Sequence, residues 1–162
     1  MRIIFAFTFY LLYWFICFLA TGNDRKNLIG LRSYPDSVQE RVRAQGLADN
    51  LRKPSIPSIF IGNILLFTAV FSLIGLIFRR LLQLDSYLSS FLFFLALGEG
   101  LSLFDLVVID LLWRRNTSRI RFSFIPEKSA YWDPGKHLGS FWREIPVFAA
   151  VAALSAAVTT IL

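Results

Sequence analysis

The sequence predicts an all-α polytopic membrane protein with four transmembrane helices and two loops that each carry a short amphipathic or interfacial segment. Three observations predict it. Of the 162 residues, 56% are hydrophobic and only 17% are charged, against roughly 45–50% and about 25% in a soluble domain. The apolar residues are gathered into four runs with charges between them, each near the ~20 residues that cross a bilayer core. The runs are continuous and do not alternate, which excludes a β-barrel. The chain length fits a single membrane domain over 1–162.

The first span, 3–20, has no charge and follows Arg2. A signal peptide is the competing reading, because Ala20-Thr21-Gly22 resembles a small-residue cleavage site. The run is longer than an h-region of about 7–15 residues. It is also crowded with Phe5, Phe7, Phe9, Tyr10, Tyr13, Trp14, Phe15 and Phe18, so it is read as a retained helix. The second span, 57–78, closes on Arg79-Arg80, and the third, 87–113, closes on Arg114-Arg115. The fourth is 145–162.

Sidedness follows from the basic residues of the loops. Segment 21–56 holds seven lysines and arginines, including Arg52 and Lys53, and segment 114–144 holds another seven. Only Arg2, Arg79 and Arg80 lie on the opposite side. The expected placement is the cell membrane, multi-pass, with both long loops cytoplasmic and both termini outside. The net charge of +6 is thereby assigned to membrane flanks and anionic lipid headgroups, not to nucleic acid. Cys17 is the only cysteine, so no intrachain disulfide or thiol metal site is available. No cofactor or metal is called for.

In the first loop, Pro35 and Asp36 fit a helix start. Val38, Val42 and Leu47 then recur at near-helical spacing up to Gly46. A helix this short needs a surface to lie on, either headgroups or the ends of the bundle. Arg25, Lys26 and Arg32 read as ordinary flanking charge, with a phosphate-bearing ligand or anionic lipid as the functional alternative. In the second loop, Arg119–Phe124 alternates polar and apolar residues and predicts a short extended stretch. Asp133-Pro134 predicts an N-cap and first turn leading into the fourth span, and Pro146 marks a first turn or kink there. Trp132 and Trp142 beside basic residues fit interfacial anchors. His137, the only histidine, reads as a polar interfacial residue within helical reach of Asp133.

The third span carries Glu99, Asp105 and Asp110. At about 1.5 Å per residue, Asp105 lies about 9 Å and Asp110 about 16 Å beyond Glu99, which falls near mid-membrane. An acid at that depth costs about 2.5 kcal/mol or more and should face protein or water. At about 100° per residue, Glu99 and Asp110 share a face to within about 20°, while Asp105 points about 120° away. The three therefore do not make one metal-binding stripe. Asp110 has Arg114 one turn on. Asn63 is a candidate hydrogen-bond partner for Glu99, together with Thr8, Tyr10, Tyr13, Thr68, Ser72 and Thr159. Gly98 and Gly100 permit close approach of a neighbouring helix.

Three stretches carry a resemblance: Lys26–Ile29 with Tyr34-Pro35 and Gln39–Val42, then Phe104–Trp113, then Asp133-Pro134 with Lys136–Ser140. Together they resemble a family of uncharacterised bacterial four-helix integral membrane proteins. The resemblance implies the four-span architecture and singles out Asp105 and Asp110. It implies no activity.

No nucleophile–base pair, metal cluster or nucleotide loop is visible, which favours a non-enzymatic role through association with lipid, a second copy or a membrane partner. The alternatives are a small proton- or cation-coupled transporter using Glu99 or Asp105, and a membrane-embedded lipid-modifying enzyme using Asp105, Asp110 and His137.

Overall fold

The structure, a computed structural model, describes residues 1–48 and 55–162. The basic pair Arg52 and Lys53 lies outside the described residues. Among those residues all regular structure is helical, in the order α1 (Arg2–Leu19), α2 (Asp24–Ile29), α3 (Asp36–Ala44), α4 (Ile56–Leu82), α5 (Tyr87–Phe104) and α6 (Pro134–Ile161). A π-helical segment, Asp105–Arg114, continues α5, and 3-10 turns cover Leu31–Ser33 and Lys128–Tyr131. Four helices are long and apolar enough to cross a membrane.

Local chemistry sets the helix ends. The Ser55 hydroxyl accepts from the Ser58 backbone N–H at 3.3 Å, with Pro57 in the first turn of α4. Gln83 closes α4 in the left-handed conformation, φ 53°. Asp133 Oδ1 accepts from the Lys136 N–H at 3.0 Å, so the expected N-cap of α6 forms with Pro134 as its first residue. One helix then runs through Pro146 without interruption. The Asp133-Pro134 start thus leads into the fourth span as expected, in a single 28-residue element that begins at Pro134 and not at 145.

The chain divides into two compact units. The first comprises Met1–Tyr10, Pro54–Leu103 and Ser140–Leu162. Its centre is a run of phenylalanines: Phe71 stacks on Phe94 at 5.7 Å and on Phe148 at 6.3 Å, and Phe67 meets Phe148 edge-on at 5.0 Å. Small residues on α6, Ala152, Ser155 and Ala156, are fully buried, as expected where helices approach closely. Gly98 is the clearest case, because a Cβ there would lie 2.5 Å from the Phe148 ring. Arg2 fixes the start of α1 to the α4–α5 turn, donating to Leu82 O and Gln83 O, each at 2.7 Å, and to Ser89 Oγ at 2.8 Å.

The second unit comprises Leu11–Lys53 and Phe104–Gly139. Its core is built from both loops: Leu31, Tyr34, Val38, Val42 and Ala48 bury against Ile120, Phe122, Ile125 and Tyr131. Here the structure corrects two expectations. Helix α3 ends at Ala44, and Leu47 lies beyond it, exposed. The surface that α3 lies on is the other loop. The Arg119–Phe124 stretch is not extended; it forms two successive turns, closed by Arg121 N–H to Ser118 O and Ile125 N–H to Phe122 O, each at 3.0 Å. Its alternation reflects burial of Ile120 and Phe122 on one side, with no neighbouring strand to pair with.

Candidate functional site

The densest polar constellation lies in the second unit and joins both loops. Asp110 on the π segment is contacted at each carboxylate oxygen. Arg114 Nη1 is 3.3 Å from Oδ1, and His137 Nδ1, on the first turn of α6, is 2.6 Å from Oδ2. All three side chains are largely buried, between 11% and 16% exposed. Arg114 also donates to Ser33 Oγ at 3.1 Å and lies 5.0 Å above the Tyr34 ring. Burial pushes the Tyr34 phenol up to about 12, opposed by the Arg114 charge. Lys136, next to His137, donates to Tyr34 O at 2.8 Å and to Asp36 Oδ1 at 2.6 Å. That ammonium holds the Asp36 carboxyl below its ordinary range.

His137 is therefore not a lone interfacial histidine paired with Asp133; it is the buried partner of Asp110. A carboxylate that accepts from Nδ1 fixes the imidazole tautomer and orientation, as in catalytic and metal-binding histidines. Asp133 is spent on the α6 cap. Trp132 is exposed and stacks under Arg115 at 4.3 Å, and Trp142 is the more exposed of the two anchors.

The α-helical face geometry of the third span does not carry through Asp105–Arg114. That segment is π-helical over ten residues, with hydrogen bonds spanning five residues instead of four. The 100° step that aligned Glu99 with Asp110 does not apply across it. Such segments are rare and recur at functional sites. Asp105 opens the segment.

Glu99 belongs to the first unit, with one carboxylate oxygen buried and without a hydrogen-bond partner. Asn63 is exposed on α4 and does not serve as its partner. The Tyr10 hydroxyl donates instead to the α5 backbone, 3.2 Å from Leu97 O. Thr8 bonds to its own helix at Ile4 O, and Thr159 to Ser155 O. The residue that sequence reasoning missed in this region is Glu144 of α6, whose Oε2 accepts at 2.5 Å from the Oγ of Ser102, one turn on from Glu99. The signal was present: counted from the Asp133-Pro134 cap, Glu144 falls inside a continuous helix, not in the loop before a span. Among the described residues no group of three or more histidine, cysteine, aspartate or glutamate side chains is placed to hold a metal.

The Asp133–Ser140 stretch reaches both of the others, Lys26–Val42 through Lys136 to Tyr34 and Asp36, and Phe104–Trp113 through His137 to Asp110, while Arg114, just past the latter, reaches Ser33. No family model, curated protein or solved structure matches the chain.

Proposed function

We propose that the chain is an integral membrane protein of four spans that acts by association with lipid, a second copy or a membrane partner, and not by chemistry. The observation that carries this reading is the distribution of polarity on the long helices. Ile3, Ile4, Phe7, Leu12 and Ile16 on α1, and Ile61, Leu65, Leu66 and Ile77 on α4, are all exposed. A soluble monomer rarely leaves more than a few hundred Å² of contiguous apolar surface in water, whereas a bilayer accepts it. Polar groups are instead spent internally, as with Ser102 on Glu144 and Arg114 and His137 on Asp110. The packing of Phe5 on Phe78 and of Trp14 on Trp113 supports α1 as a retained helix. The loop charges favour a cytoplasmic position for both loops, in keeping with the bacterial four-helix resemblance.

Alkaline carbonate extraction tests insertion, and thiol labelling tests sidedness. In a Cys17→Ser background, Ser37→Cys and Ser118→Cys are expected to be protected in intact cells and Ser86→Cys labelled. Release by carbonate sinks the membrane reading, and the reverse labelling sinks the topology. Association is tested in native nanodiscs by mass photometry and lipid analysis. A monomer carrying lipid of bulk composition and no partner would remove that role.

A second reading, proton- or cation-coupled transport, is favoured by one observation: the buried Glu99 carboxylate oxygen without a hydrogen-bond partner. A carboxyl group so placed is relieved by a proton or a cation. Flux in proteoliposomes, lost in a folded Glu99→Gln variant, would support it. Wild-type vesicles without flux would end it.

A further inference from the structure

The basic residues around the end of α1 fall into two groups once their partners are known. Lys26 and Arg119 serve the helix itself. Lys26 Nζ donates to Leu19 O at 2.9 Å, and Arg119 Nη2 donates to Phe18 O at 3.2 Å and Thr21 O at 3.0 Å while stacking 3.9 Å over the Phe18 ring. These are the last carbonyls of a helix, where cations are favoured. Arg25 and Arg121 are left over. Arg25 is exposed and enters no ion pair or hydrogen bond among the described residues, and Arg121 reaches only Pro126 O at a long 3.4 Å. Both line one open depression, whose remaining walls are Gly22, Asn23, Asp24 and Ser123.

The single acid there, Asp24, is already engaged: Oδ1 accepts from the Ser123 N–H at 2.9 Å and Oδ2 from Ser123 Oγ at 2.5 Å. Asn23 Oδ1 caps the Lys26 N–H at 2.9 Å. Gly22 has φ +122°, and Arg119 packs 2.7 Å from where its Cβ would stand, so this wall is backbone that a side chain would obstruct. The segments that form the depression carry four cations, Arg25, Lys26, Arg119 and Arg121, of which Arg25 and Arg121 line it beside the one carboxylate, Asp24. The two left over, Arg25 and Arg121, present guanidinium forks that match phosphate geometry.

The depression follows directly on the part of α1 whose outward side chains, Leu11, Leu12, Phe15, Ile16 and Leu19, are exposed and apolar. We propose that it is a headgroup site for an acidic phospholipid: the phosphate lies between Arg25 and Arg121, and the acyl chains lie along Leu12, Ile16 and Leu19. An acidic lipid is specified because a zwitterionic headgroup would bring its own cation against these arginines. The proposal rests on the membrane reading above and names one associating partner within it.

The test uses the full chain in phosphatidylcholine vesicles with Trp132→Phe and Trp142→Phe, leaving Trp14 and Trp113 as reporters. These two rings pack together at 6.2 Å, and Phe18 lies 6.4 Å from Trp113. Brominated phosphatidylglycerol is expected to quench with about a fivefold higher relative affinity than brominated phosphatidylcholine. Arg25→Gln, which removes no contact, should abolish most of that preference, while Arg32→Gln, the same charge change on another exposed arginine, should preserve it. Equal quenching by the two lipids, with the protein still resisting carbonate, overturns the headgroup site alone. A preference untouched by Arg25→Gln combined with Arg121→Gln also overturns it, as does Arg25-dependent binding of inorganic phosphate without lipid preference. Release by carbonate fells the membrane reading and this proposal together.

Discussion

Removing one oxygen atom, in Tyr131→Phe, probes whether the two loops form a folded core. The Tyr131 hydroxyl donates to Ile125 O at 2.8 Å and accepts from the Phe122 N–H at 2.8 Å, and both bonds are buried. Phenylalanine retains the ring that packs on Tyr34 at 5.9 Å, so packing changes little. What changes is that a buried donor and a buried acceptor lose their partner together. An unsatisfied buried group costs about 1–3 kcal/mol, and the carbonyl, with a second lone pair, sits at the low end. The expected loss is about 2–4 kcal/mol of loop-core stability. Hydrogen exchange read by mass spectrometry on the detergent-solubilised or nanodisc-embedded protein reports it directly. At tenfold per 1.4 kcal/mol, protection should fall by about thirtyfold or more. The fall should appear in peptides covering 36–44 as well as in those covering 118–131, because α3 buries Val38 and Val42 in the same cluster. A change of twofold or less, or one confined to the second loop, would show that the loops do not form one cooperative core.

Asp110→Ala leaves Arg114 and His137 buried without their carboxylate and should destabilise by about 3–5 kcal/mol in thermal unfolding; an unchanged midpoint contradicts the burial. Gly98→Ala forces a methyl into the Phe148 ring and should cost about 1–3 kcal/mol, whereas Gly62→Ala, with nothing within 4 Å, should be silent in the same melt. Asp36 gives a pH prediction. Its folded carboxyl lies below the ordinary 3.8, chiefly through the hydrogen bond from Lys136. The contribution is therefore complete above that value and is lost as pH falls through the lower folded one. An acid titration of loop-core exchange should show the loss in wild type and a smaller loss in Asp36→Asn across that window, the remainder belonging to the Arg41–Glu127 pair.

The long helices were legible because their cause is local. Each span is a run of apolar neighbours, so reading along the chain places the first three to within a few residues, whereas the fourth helix starts well ahead of its apolar run, at the Asp133-Pro134 cap. The loop core was not legible in this way. Val38 and Val42 announced a face that had to be covered, but the cover, Ile120, Phe122 and Ile125, lies some eighty residues later. The second loop's alternation was the right signal assigned the wrong geometry, since alternate burial arises from successive turns as well as from a strand.

The acids divide along the same line. Asp110 with Arg114 was readable at one helical turn, whereas His137 required knowing that the start of α6 meets the π segment. Charge alone had made His137 a surface residue, because a lone histidine in a basic, aromatic loop has no neighbour in sequence that would bury it. The π segment removed the remaining regularity: a face assignment multiplies a fixed angle by residue number, and ten residues at a different pitch invalidate every alignment drawn across them. Glu99 lost its expected partner Asn63 for another reason. A polar residue on a span-length helix is a candidate partner only if it is turned inward, and Asn63 is exposed, as Ile61, Leu65 and Leu66 around it are. The acid that came into this region, Glu144 bonded to Ser102, lies on a helix that begins eleven residues before the apolar run that announced it.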